Sequence, residues 1–192
     1  MKRIISILLV VCLGLCSMAA LAACGRTDSD GDGVRTTVSE AEWNEAFLKS
    51  NFTINGFITE RDERESLAMK FSEDTIYTEN GGYTMYCVKQ SDGWHMTDGT
   101  EVGPVMNGVS ASVSFAMMSF HLPEYSSFSY DEATKSYVYV NSGDSGFYQF
   151  NVYFEYGFIS RIEGCEDAGA TSHSFTFTDY GTTVVELPGS SE

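Results

Sequence analysis

Thr75-Ile76-Tyr77-Thr78-Glu79-Asn80-Gly81-Gly82-Tyr83-Thr84-Met85-Tyr86-Cys87-Val88-Lys89-Gln90 sets two β-branched and aromatic runs on either side of Asn80-Gly81-Gly82. Asn and Gly tolerate positive φ, so the centre reads as a tight turn and the flanks as an antiparallel hairpin. The same grammar extends outward in both directions. Upstream, Phe52, Ile54 and Ile58 alternate with polar residues across 51–60, and Leu67, Met69 and Phe71 do so across 66–72, with the charged stretch 61–65 as an exposed turn between them. Downstream, strand patterns occupy 94–97, 128–130, 137–141, 147–156, 158–163, 174–178 and 182–187, separated by turn residues such as Asp92-Gly93, Gly157 and Asp179-Tyr180-Gly181. Short loops between neighbouring strands imply an antiparallel meander.

Two segments carry a helical period. Ser39 followed by Glu42 forms a capping box, Val38 is placed to staple onto Trp43, and Trp43, Ala46 and Phe47 share one face, so a helix is expected over 40–50. Val105, Val109, Val113, Ala116, Met117 and Phe120 recur every three or four residues, which predicts a second helix over 102–120 starting near Pro104. Two helices with about nine or ten strands make an α+β domain. Several strands, 147–154 for example, are apolar on both faces, which suits a curved antiparallel sheet, a half-barrel, covered on its concave face by the two helices.

The N-terminus has a different character. Met1-Lys2-Arg3 precedes an apolar run over 4–23, the pattern of an export leader. Leu21-Ala22-Ala23-Cys24 resembles a bacterial lipobox, which implies cleavage between Ala23 and Cys24 and transfer of diacylglycerol to Cys24. The division expected is a signal peptide over 1–23, an acidic flexible tether over 24–37, a domain over 38–188 and a tail over 189–192. The alternative is that the apolar run stays as a transmembrane helix.

Loss of the leader removes Lys2 and Arg3 and no acid, so the net charge of −16 becomes −18. Phosphate backbones and anionic lipid surfaces repel such a domain, which argues against nucleic acid as a partner. Of five cysteines, Cys12 and Cys16 leave with the leader and Cys24 is modified. Cys87 and Cys165 remain, either as one disulfide or as two separate thiols. Asp28-Ser29-Asp30-Gly31-Asp32-Gly33 resembles the start of an EF-hand loop, but Ser39 stands where the pattern needs its Glu, so the stretch reads as acidic linker and no metal is expected.

Catalytic patterns are thin. Gly143-Asp144-Ser145-Gly146 resembles the nucleophile segment of trypsin-like proteases, yet the following Phe147 and the contexts of His95 and His121 depart from that family, and a Gly-Asp-Ser-Gly turn explains the residues. His95, His121 and His173 have no zinc-ligand spacing. Glu155 is the one carboxylate conspicuous in an apolar strand. No enzyme activity, catalytic residue or cofactor is expected.

An N-terminal amphipathic helix, a meander, a mid-chain helix and a final Phe175-Thr176-Phe177-Thr178-Asp179-Tyr180-Gly181 before Val184-Val185-Glu186-Leu187-Pro188 together resemble the LolA and LppX/LprG superfamily. The resemblance implies a half-barrel whose concave face holds acyl chains. On that basis the ligand-binding residues are expected among Phe52, Ile54, Leu67, Met69, Phe71, Met85 and Met117. The function expected is a lipoprotein anchored on the extracytoplasmic face of the cell membrane that binds a hydrophobic or lipid-like ligand. The alternative is a surface interaction or structural lipoprotein with a solid core and a protein or cell-wall partner.

Overall fold

The structure is a computed structural model that describes residues 34–141, 148–166 and 170–189. The chain divides into Met1–Arg35 and Thr36–Glu192, and every helix and strand described belongs to the second unit. The expected leader with Ala23 and Cys24, the acidic stretch 28–33, the segment Gly143-Asp144-Ser145-Gly146 read as a turn and the last three residues lie outside the described residues.

Helix α1 (Glu40–Leu48) begins where its cap predicts. The Ser39 backbone N–H donates to the Glu42 carboxylate at 2.8 Å, and the Glu42 N–H donates to Ser39 Oγ at 3.3 Å. Trp43 and Ala46 are its buried residues. Eleven strands follow: β1 (Phe52–Glu60), β2 (Glu63–Phe71), β3 (Thr75–Asn80), β4 (Tyr83–Gln90), β5 (Gly93–Thr97), β6 (Val102–Met106), β7 (Ser129–Asp131), β8 (Ser136–Asn141), β9 (Tyr148–Glu155), β10 (Phe158–Glu166) and β11 (Thr171–Thr178). They form one open antiparallel sheet ordered β6-β5-β4-β3-β2-β1-β11-β10-β9-β8-β7, somewhat larger than the nine or ten strands expected. The class is α+β.

The order follows from two meanders that meet. β1 to β6 march outward by short turns, the chain crosses from one edge of the sheet to the other between Met106 and Ser129, and β7 to β11 march back until β11 pairs with β1. The turns are chemically suited to their places. Gly81 and Gly82, at φ 54 and 84, join β3 to β4, while Tyr156 and Gly157, at φ 54 and 83, join β9 to β10.

Register sorts the side chains. Phe52 faces Phe71, which faces Ile76, which faces Cys87, and on the other side Ile54 faces Phe177 and Ile162 faces both Phe175 and Val152. These residues share the inner face, where α1 and the crossover pack, and Phe52, Phe71, Phe175, Ile162 and Val152 have no exposed surface. Fully burying a side chain of this size is worth about 1.5–3 kcal/mol, so this face dominates stability. The outer face is more polar and stacks cations on rings: the Arg64 guanidinium lies 3.5 Å from the Phe57 ring centre and that of Arg161 4.0 Å from Tyr153.

Three expectations are corrected. The segment 102–120 is not one helix: Val102–Met106 is the edge strand β6, Gly108 turns the chain at φ 78, and helix α2 spans only Val113–Ala116 before a 3-10 turn at Met118–Phe120. β-branched Val102 and Val105 favour a strand, and Pro104 is tolerated there because an edge strand has a side that needs no donor. The stretch 61–65 turns only at Arg61-Asp62, and β2 already begins at Glu63 because Arg61, at φ 56, permits a two-residue hairpin. Finally, 182–187 is not a strand. β11 lies between β1 and β10, so no free edge remains for a hairpin partner. The chain instead runs over the outer face, where the Thr183 N–H donates to Asn51 Oδ1 at 2.7 Å and the Thr183 hydroxyl meets that of Thr53 at 3.0 Å.

Candidate functional site

The seven residues expected to line a cavity separate into three settings. Phe52, Ile54 and Phe71 have no exposure, and Phe52 stacks on Phe71 with ring centres 4.7 Å apart, so they are packed core. Leu67 is nearly covered, whereas Met69 is half-buried and Met85 is 36% exposed, further along the same face. Met117, 3% exposed, is on the crossover just after α2. One cavity does not collect them.

The inner face therefore has a filled end and a softer end. All six methionines beyond residue 23 lie on the inner face or the crossover. Met69 and Met85 follow Ile54 and Thr78 in register, Met96 faces Cys87, Met106 faces Trp94, and Met117 and Met118 are on the crossover. A thioether side chain is unbranched and polarizable, and refits itself to irregular apolar surfaces. Met85, Met96 and Met118 keep 36%, 45% and 62% of their surface exposed, so this soft apolar material is in reach of a ligand.

A groove of about 700 Å³ runs between α1 and the crossover. Glu40, Trp43, Asn44 and Phe47, spaced three and four apart, give it one wall together with Leu48, and residues between Ser114 and Tyr125 give it the other. Hydrogen bonds tie the walls together at both ends. The Tyr125 hydroxyl donates to the Val38 carbonyl at 3.3 Å, Ser114 Oγ donates to the Phe47 carbonyl at 2.9 Å, and the Val113 N–H donates to the Lys49 carbonyl at 3.1 Å. Trp43 forms the floor, within 5.5 Å of the ring centres of Phe47, Tyr125, Phe128, Tyr137 and Phe154. Tyr137 fixes the chain entering α1, since its hydroxyl donates to the Val38 carbonyl at 2.6 Å and accepts from the Val38 N–H at 2.8 Å. Burial pushes that phenol up to about 12.

The histidines have separate environments. His95 is on the outer face with Nδ1 2.7 Å from the Gly103 carbonyl and Nε2 2.8 Å from Asp92. Two acceptors suit an imidazolium that donates from both nitrogens, so the Gly103 carbonyl and then Asp92 raise its pKa. His173 is on the inner face, 3% exposed, between Phe120, Phe150 and Phe175, and its Nε2 has no hydrogen-bond partner. Burial lowers its pKa to about 4. Gly164, its cross-strand neighbour, makes room for the ring, since a Cβ there would collide with Nε2. His121 is exposed at the groove.

Among the described residues no group of three or more His, Cys, Asp or Glu is arranged to hold a metal. Glu155 is exposed at the end of β9. Cys87 and Cys165 are free thiols, the first on the inner face of β4 and the second on the opposite face of β10, so no bridge joins them. Burial raises the Cys87 thiol, which keeps it protonated and unreactive. No described helix is long and apolar enough to cross a membrane.

Sequence reasoning missed the groove because its walls come from segments more than 60 residues apart that only the fold brings together. Leu48, 72% exposed and off the Trp43–Ala46–Phe47 stripe, is the local signal that could have pointed to it. No protein-family model matches this chain, and no curated protein matches it in sequence.

Proposed function

We propose that the mature chain is a lipoprotein, anchored through diacylglycerol on Cys24 at the extracytoplasmic face of the cell membrane, whose domain is a half-barrel that binds a hydrophobic or lipid-like ligand. The observation that carries this reading is the placement of all six methionines after the leader on the inner face and the crossover, where three remain substantially exposed. The groove beside α1 supports it further, since its volume falls in the range usual for small-molecule sites, about 300–1,000 Å³. A sheet of antiparallel strands covered on one face also agrees with what the LolA and LppX/LprG resemblance implies.

Native mass spectrometry tests the ligand. Protein extracted from its own membranes and exchanged into detergent-free buffer is expected to carry a lipid-sized adduct that leaves on denaturation, and an adduct-free spectrum would overturn the reading in favour of a solid-cored interaction module. The filled end of the inner face around Phe52 and Phe71 favours that second reading. The anchor has its own readout: Cys24→Ala is expected to move the protein from the membrane to the soluble fraction, and full retention on membranes would refute anchoring through Cys24.

A further inference from the structure

The groove beside α1 is polarised from end to end. Glu40 opens α1 and Leu48 closes it, eight residues or roughly 12 Å along the axis. At the first end the Tyr125–Val38 hydrogen bond brings Glu124 and Tyr125 beside the start of the helix, so the two carboxylates of the groove, Glu40 and Glu124, share it. At the other end the Ser114–Phe47 bond gathers Leu48, Met117 and Met118, of which Leu48 and Met118 are 72% and 62% exposed. No Lys or Arg lines the groove. Neither carboxylate has a hydrogen-bond or ion-pair partner among the described residues, although acidic side chains elsewhere do, as in Glu45 with Lys49 and Glu132 with Lys135.

From this arrangement we infer that the groove takes a cationic amphiphile, with its positive head between Glu40 and Glu124 against the half-buried Tyr125 ring and its apolar tail along Phe47 toward Leu48 and Met118. The inference rests on the reading of the domain as a binder of hydrophobic ligands and adds the charge and orientation of the ligand. A cation is favoured three times over: by the unpaired carboxylates, by the Tyr125 ring, and by the −18 charge of the mature chain, which draws cations toward it. An anionic head in the same place would meet two carboxylates and no Lys or Arg, His121 being the one basic side chain that lines the groove.

Titration calorimetry below the micellar concentration, on the detergent-free mature protein, compares three probes with the same alkyl chain: a quaternary ammonium, a neutral maltoside and an anionic sulfate. A head-group ion pair with a cation–π contact is expected to make the ammonium roughly ten-fold tighter than the maltoside, with the sulfate weakest. The Glu40→Gln/Glu124→Gln double variant is expected to bring the ammonium to the level of the maltoside while leaving the maltoside unchanged. Glu40 also favours the start of α1, so a melting curve by circular dichroism accompanies the variant, and the unchanged maltoside affinity serves as the control for folding. Equal affinity for ammonium and maltoside would overturn the charged-head inference and leave the hydrophobic reading standing. A preference for the ammonium that survives the double substitution would also overturn it, assigning the effect to overall charge. Absence of binding by all three would overturn both readings.

Discussion

Replacing Trp43 with alanine is expected to cost the domain about 4 kcal/mol, the usual range for removing a buried Trp or Phe being about 3–5 kcal/mol. Trp43 is 4% exposed and touches five aromatic rings drawn from α1, β8, β9 and the segment 125–128. Its loss removes the side chain that joins α1 to the sheet and leaves a cavity that the surrounding rings, each held by other contacts, cannot close. Tyr137 keeps its hydrogen bonds to Val38, so the chain entering α1 stays tied while the helix itself loosens. Urea unfolding followed by circular dichroism measures the effect. A fall in the midpoint with an unchanged slope means that α1 stays docked on a weakened core; a smaller slope means that the folded state has already released it. Trp43→Phe, which keeps an aromatic floor, is expected to lose less than half as much. A loss below about 1 kcal/mol for Trp43→Ala would show that the floor of the groove contributes little to the core.

What made parts of the fold legible was locality. The Ser39–Glu42 cap, the Gly81-Gly82 turn and the turn at Gly157 each settle their geometry within a few residues, and each is where the sequence places it. The crossover shows the opposite case. Val109, Val113, Ala116, Met117 and Phe120 all pack against the core, so the contact pattern imitates a helical period although most of the backbone is irregular, and Val105 is 44% exposed on an edge strand. Periodicity reports which residues are buried, and a chain laid over an apolar face can bury every third or fourth residue without being a helix. The C-terminal segment departs from its pattern for a different reason. Its alternation is sound, but strand pairing needs a free edge, and the pairing of β1 with β11 that consumes it joins opposite ends of the domain. The same non-locality hid the groove. Phe52, Ile54 and Phe71 were legible as inner-face residues, yet only the placement of α1 and the crossover decides that they are packed solid while Met69 and Met85 remain accessible.

Acidification from pH 7.5 to 4.5 is expected to cost the protein about 2.5 kcal/mol through His173 alone. Its pKa is about 4 when folded against 6.5 for an unperturbed histidine, so between those values the unfolded chain takes up a proton that the folded chain does not. The stability present above pH 6.5 is lost as the pH falls through that window, and the loss levels off below about pH 4. Among the described residues Phe120, Phe150 and Phe175 surround the ring and Nε2 has no hydrogen-bond partner, while Glu166, His121, Tyr139 and Tyr148 line a pocket that shares Phe120 and Phe150 with it. His95 acts in the opposite direction, because its raised pKa contributes stability below pH 6.5 that disappears as the pH rises through the folded value. Carboxylates in model peptides take up protons close to this range, so the measurement must isolate one residue. Urea denaturation of the native protein and of His173→Leu at both pH values does so: the variant should lose about 2.5 kcal/mol less than the native protein on acidification, and it should be the more stable of the two at pH 4.5 because it no longer buries an unpaired nitrogen. Equal losses in the two proteins would mean that His173 is solvated or paired when folded, and that the inner face beside Phe120 is open to water.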